Sequence, residues 1–229
     1  MKTFIPHTAL QEVVLNISTV EAHLPIGTRS AVSPYPPTPY QSLIFYCRNP
    51  ISMNKNREVE FTQQPSSVLL GPQVSRVNIK VHNRLKAIRV DFLPGAMFRI
   101  LKVPMYELLD EGFNAGDLFG SKMKILTEQL SEITDLEVGK RLVENFLLER
   151  LHSINKQQPF DKALRALYIN DGNLSITKTA SLSCLSIKQF ERKCKERIGM
   201  NPKSYARILK FSKAYRLHEA FPEMDWISI

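Results

Sequence analysis

The chain of 229 residues holds 31 Lys/Arg against 22 Asp/Glu, a formal net charge of +9, and 43% of its residues are hydrophobic. This is the balance of a soluble globular protein long enough for one or two domains with sizeable cores. No apolar run approaches the roughly 20 residues that span a bilayer, the opening MKTFIPHTALQEVV has no uninterrupted apolar signal core, and Cys47, Cys184 and Cys194 are too scattered to outline a disulfide framework; the expectation is a cytoplasmic chain with free thiols and no membrane partner.

From the amino terminus, residues 13–18, 42–47, 58–61, 67–70, 77–81 and 86–92 are short runs rich in β-branched and aromatic residues, separated by Gly, Pro, Asn and Ser. That pattern predicts strands of a small antiparallel sandwich or barrel. Prolines at 34, 36, 37 and 39 cannot sit inside a sheet, so their segment is expected at an edge or across the mouth of the barrel. After Pro94-Gly95 the period becomes helical, over 105–112, 118–133 and 136–154, the last with Leu142, Val143, Phe146, Leu147 and Leu151 as its buried stripe. Asp110 and Glu111 read as helix-end chemistry. The polar stretch 152–159 ends in Pro and marks a linker, which divides the chain into a β-rich domain with carboxy-terminal helices, 1–154, and a second domain, 155–229.

The second domain reads as α-helical: 160–170, stopped by Asp171-Gly172, then 174–182, 186–198 and 202–220. Ser186 has the chemistry of an N-cap, Gln189 completes an S-x-x-Q capping box, and Leu185 can staple to Phe190. In the helix that follows, Ile187, Phe190, Cys194 and Ile198 form the stripe to be buried, while Lys188, Glu191, Arg192 and Lys195 share the opposite face. Gly199 ends this helix and Asn201-Pro202 caps the next, which is expected to bury Tyr205, Ile208 and Leu209, with Phe211 as a further candidate. Residues 156–216 hold 14 Lys/Arg against 4 Asp/Glu, a net of +10, and the rest of the chain 17 against 18, a net of −1. The whole excess charge thus lies in the last third, the footprint of a polyanion-binding unit joined to a nearly neutral one.

On these residues the segment resembles the DNA-binding region of AraC/XylS-type transcription regulators. Ala180, Leu185, Ser186, Phe190, Arg192, Gly199, Asn201, Pro202, Tyr205 and Arg207 stand at the positions of the family's first helix-turn-helix, and GMNPKSYARILKF matches most specifically. Cys184 replaces a Gly that normally supplies a left-handed turn, Thr179 a preferred Leu, and Cys194 a preferred Phe. A second stretch is similar to the amino-terminal domain that precedes the DNA-binding region in a subset of these regulators: Phe92, Pro94 and Gly95 close a strand, followed by Val103, Pro104 and Asp110. The resemblance implies an α+β protein, with a cupin-like antiparallel β-barrel and following helices ahead of an all-α helix-turn-helix domain. It implies a sequence-specific, non-enzymatic transcription regulator with double-stranded DNA as partner, and leaves room for a small-molecule effector and a homodimer.

In that reading Lys188, Glu191 and Arg192 reach base edges, and Lys195, Lys203 and Arg207 meet phosphate; Ser186 and Gln189 complete the candidate DNA-binding set at the helix start. No cofactor is expected. The five histidines lack metal-ligand spacing, so no metal is expected either. A redox role for Cys184 or Cys194 would require Lys193 and Lys195 to lower a thiol pKa. The rival reading is a small-molecule-binding or enzymatic barrel whose basic tail docks on a partner protein.

The family uses two helix-turn-helix units, and PEMDWISI resembles the opening of the second, so the given chain is expected to hold one complete unit and a stub. Linking two contacts multiplies affinity through effective concentration. One unit should therefore bind duplex DNA only in the non-specific range, about 10⁻⁴ to 10⁻⁶ M at physiological salt. Titration of promoter against scrambled DNA checks this; nanomolar, sequence-selective binding would refute it.

Overall fold

The segment QSLIFYC is buried along its whole length, so it needs a covering layer on each face, and this decides the architecture. The computed structural model describes residues 1–55, 58–152, 154 and 156–225. Its strands are β1 (Lys2–Phe4), β2 (Val14–His23), β3 (Ser30–Tyr35), β4 (Gln41–Arg48), β5 (Ser52–Lys55), β6 (Thr62–Gln63), β7 (Ser67–Leu70), β8 (Val77–His82), β9 (Arg84–Phe92) and β10 (Gly112–Asn114). Its helices are α1 (Ala96–Leu101), α2 (Ala115–Phe119), α3 (Ser121–Glu132), α4 (Leu136–Leu151), α5 (Pro159–Ile169), α6 (Ile176–Leu182), α7 (Ile187–Ile198) and α8 (Pro202–Ala220), with 3-10 turns at Thr8–Leu10 and Met105–Leu108.

Among the described residues the strands form two antiparallel sheets, one ordered β1-β2-β9-β4-β7-β10 and the other β3-β8-β5-β6. β4 is central to the larger sheet, and its side chains alternate between two cores. Leu43, Phe45 and Cys47 face the helices, together with Ile88, Val90, Met97 and Val143. Ile44 and Tyr46 face the smaller sheet, where Ile51, Ile79 and Val81 meet them. The protein is thus α+β, with sheet against sheet on one side and helices against sheet on the other.

The expected closed barrel is not formed. The larger sheet ends in β1 and β10, three residues each, and the smaller ends in the two-residue β6, too short to pair across the gap. β3 carries Pro34 and lies at an edge, where the missing N–H costs no ladder bond. The strand predicted at 58–61 is a loop between β5 and β6, with Val59 almost wholly exposed. The helix predicted at 105–112 stops at Leu108 as a 3-10 turn. Asp110 takes a left-handed φ of 57°, and its carboxylate accepts from the Val74 and Ser75 N–H groups at 2.7 and 3.0 Å, bracing a loop instead of ending a helix. The linker positions Ser153 and Asn155, and Trp226 and Ile227 of the expected second-unit opening, lie outside the described residues.

The 3-10 turn Met105–Leu108 is held to the sheet by a close approach. A Cβ at Gly71, just after β7, would overlap the Leu108 carbonyl. Backbone cannot retreat as a flexible side chain does, so Gly71→Ala should destabilise the protein by more than the roughly 1–3 kcal/mol of ordinary overpacking. Urea unfolding monitored by circular dichroism checks this; a midpoint shift within error would mean that the turn is free to move.

Candidate nucleic-acid interface

Helices α5 to α8 enclose their own core, built on Phe160 and Leu164 of α5, Ala180 of α6, Phe190 and Cys194 of α7 and Tyr205 of α8. Phe160 and Phe190 meet with ring centroids 5.4 Å apart. α6 begins at Ser175, whose hydroxyl accepts from the Lys178 N–H at 3.2 Å. Thr179 is fully buried, and its hydroxyl donates to the Ser175 carbonyl at 2.9 Å, so its polar atom is satisfied within its own helix.

Four residues, Ser183 to Ser186, join α6 to α7. Cys184 adopts φ 56°, so the left-handed turn survives without glycine. The Leu185 N–H returns to the Ala180 carbonyl at 3.2 Å and closes the end of α6. The capping box at the start of α7 is complete: the Gln189 N–H donates to the Ser186 hydroxyl at 3.3 Å, and the Ser186 N–H to the Gln189 side-chain oxygen at 3.0 Å. Leu185 packs on the same core as Phe190, as a hydrophobic staple requires. At the far end Gly199 takes φ 82° and donates to the Lys195 carbonyl. Asn201 then caps α8 through the Ser204 N–H at 2.8 Å.

Phe190, Cys194 and Ile198 are buried as expected, but Ile187 is 45% exposed, because it lies in the first turn beyond the edge of the core. Phe211 on α8 is likewise 40% exposed and lies on the outer side of its helix, while Tyr205 and Leu209 are buried. Burial pushes the Cys194 thiol well above the ordinary range, with Glu191 adding to it. The neighbouring lysines do not activate it: Lys193 lies over the Phe160 ring and Lys195 over Tyr106. Burial also raises the Cys47 thiol, to about 11.

Lys188, Glu191, Arg192 and Lys195 form one exposed stripe along α7, with Ser186 and Gln189 exposed at its start. Lys203 and Arg207 are exposed on α8. Among the described residues Lys188, Arg192, Lys203 and Arg207 make no ion pair or side-chain hydrogen bond, so their charges face solvent. Two basic residues of α7 point the other way, Lys193 over the Phe160 ring and Arg197. Arg197 pairs with Asp161 at 3.4 Å, donates to Gln158 at 3.2 Å and stacks over Phe98 of α1 at 4.6 Å. Helical period places Arg197 three residues from Cys194 and seven from Phe190, on the buried side, and Arg192 on the opposite face; the partners on α1 and α5 fix where the Arg197 guanidinium goes.

The two halves of the chain touch at further points. Tyr40 meets the Tyr168 ring edge-on and accepts from Arg216 at 3.0 Å. Between β9, the Pro-rich segment and α8 lies a cleft of about 500 Å³, lined by Tyr35, Tyr40, Arg89, Asp91, Tyr215 and Arg216. Arg89 is held there by Asp91 at 2.7 Å, Ser42 at 3.1 Å and the Tyr35 hydroxyl. The cavity between the sheets is only about 60 Å³. Among the described residues no group of His, Cys, Asp and Glu is placed to hold a metal, and no helix is long and apolar enough to cross a membrane.

The Cys184 turn and the Ser186 cap generate opposite expectations. Left-handed backbone costs a non-glycine residue roughly 1–2 kcal/mol, so Cys184→Gly should raise the melting temperature. Loss of the cap should cost about 1 kcal/mol, so Ser186→Ala should lower it. Thermal melts of both variants check the pair; a Cys184→Gly variant less stable than the parent would mean that its side chain contributes more than its strain.

A family model described as "Domain of unknown function (DUF6597)" matches residues 2–114. No curated protein matches the chain. Among solved structures, ToxT from Vibrio cholerae with a bound unsaturated fatty acid is similar at 9% identity and TM-score 0.46, over 97% of this chain and 85% of that one. A second crystal form of ToxT gives 11% identity and TM-score 0.46, over 91% and 85%. The AraC-like transcriptional activator CuxR gives 13% and 0.32, over 90% and 78%. Over residues 2–114 the chain is therefore similar to a family whose function is not described.

Proposed function

We propose that the protein is a DNA-binding transcription regulator in which residues 155–229 form a helix-turn-helix unit and α7 enters the major groove. The observation that carries this reading is the exposed, unpaired cationic stripe on a helix capped at both ends and preceded by a four-residue turn. A helix presented in this way leads with its amino-terminal turns. Arg192 then suits a bidentate bond to guanine and Glu191 accepts from cytosine, with Lys188 alongside; Ser186 and Gln189 lie at the entering end. Lys195, Lys203 and Arg207 neutralise phosphates and fix the register.

Residues 1–154 act as the sensing and dimerisation part. The cleft lined by Arg89, Tyr40 and Arg216 has the size for a small effector, which the 60 Å³ cavity between the sheets lacks. It also joins the two halves of the chain, so occupancy there would bear on how α8 is held. Two copies on one duplex would add avidity. No residue is assigned a catalytic role.

The decisive experiment is binding of a duplex selected from a random pool, measured against salt. Arg192→Ala should cost about 1–3 kcal/mol on the selected site and relax its sequence preference. Lys195→Ala should weaken selected and random duplexes alike and lower the salt slope by about one. Binding with no salt dependence, or equal losses on both duplexes from both variants, would remove the reading; the basic helix would then be a protein-docking surface.

A further inference from the structure

The cationic stripe does not stop at the boundary between the two halves of the chain. Lys195, its last member, has its ammonium 5.9 Å from the centre of the Tyr106 ring. Tyr106 belongs to the 3-10 turn Met105–Leu108 of the amino-terminal half and is 47% exposed. Among the described residues no hydrogen bond holds its hydroxyl.

Its position is nevertheless fixed. Met105 and Leu108, on either side of it, are buried in the core beneath the larger sheet. The turn is pressed against the end of α7: a Cβ at Gly199 would lie 2.7 Å from the Met105 carbonyl oxygen. Phe98 under Arg197, and Leu109 against the core of α5 to α8, secure the same seam. Tyr106 and the α7 stripe are therefore held in one frame, with the ring beside Lys195.

We propose that Tyr106 is part of the DNA-contacting surface: its ring positions the Lys195 ammonium, and its hydroxyl donates to the same backbone phosphate. This rests on the reading of α7 as the helix that meets DNA. The chemistry is apt, because tyrosine hydroxyls are regular phosphate donors, and a cation over an aromatic face is restrained without being neutralised. Two carboxylates oppose it. Glu107, exposed beside Tyr106, and Glu191, one turn before Lys195 on the stripe, repel phosphate, but their charges are screened by solvent, whereas Lys195 and the phenol would touch the phosphate directly.

The test uses the full chain and a random-sequence duplex, since a phosphate contact carries no sequence information. Tyr106→Phe keeps the ring and removes the donor, and should weaken binding roughly 3- to 10-fold, the range of one hydrogen bond, with the salt slope unchanged. Tyr106→Ala should lose more, and in a Lys195→Ala background its effect should fall to about that of Tyr106→Phe, because the ring acts through that lysine and the hydroxyl does not. Melting curves confirm folding, and Tyr106→Phe, the milder change, carries the test if the alanine variant does not fold. If both Tyr106 variants bind like the parent while Lys195→Ala weakens binding, this proposal fails and the reading of α7 stands. If Tyr106→Ala binds more tightly, the ring holds Lys195 away from DNA and the proposal is overturned. If Lys195→Ala and Arg192→Ala also leave binding unchanged, the reading of α7 itself has failed.

Discussion

The backbone of Met105 runs so close to Gly199 that no side chain fits between them, and the arrangement of the two halves depends on that approach. Gly199 serves two ends at once. It supplies the left-handed residue that closes α7, and it leaves room for a chain segment from the other half. Any larger residue would meet both a strained φ and a carbonyl that is itself anchored, since Met105 is fully buried. The end of the candidate reading helix is in this way fastened to the sheet-bearing half through main chain, with little freedom to slide.

Around that seam the charges of α7 divide by direction. Arg197 turns inward to Asp161, which is 3% exposed and also receives the Gln158 N–H at 2.8 Å. The pair lies between Phe98 and Phe160, so the guanidinium planes onto rings as well as onto a carboxylate. Removing either partner would leave an uncompensated charge in a largely dry place, which costs far more than the pair contributes. Arg192 and Lys188, on the other side of the same helix, keep their full charge at the surface. One helix thus carries an inward cation that holds it and outward cations free for a ligand.

What the sequence disclosed follows the range of the interactions concerned. Ser186, Gln189, Gly199 and Asn201 act within one helical turn, and their caps were legible from spacing alone. The cationic stripe was equally legible, since a period of 3.6 defines a face without reference to any partner. Whether the strands close into a barrel was not legible from their pattern, because alternation marks a strand but not its neighbour. Residues 58–61 alternate like a strand, yet they lie in the exposed loop between β5 and β6. Ile187 has the right period for burial, but the core ends short of it. The roles of Arg197 and Tyr106 depend on groups tens of residues away along the chain, Asp161 and Phe98 for the one and Lys195 for the other, and no local pattern records those partners.

The topology also sets an order in time. Contacts within α5 to α8 are close in sequence, and helical units of this kind form quickly. β2 must find β9, with β3 to β8 between them, and such long-range pairing is slow. The helical unit is therefore expected to be complete while the sheets are still assembling. The seam at Gly199 and the bond from Arg216 to Tyr40 would close last, at a pace governed by the β half. During that interval Phe98 has no Arg197 to cover its ring, so a nascent or partly folded chain exposes an aromatic face that the finished protein half-buries.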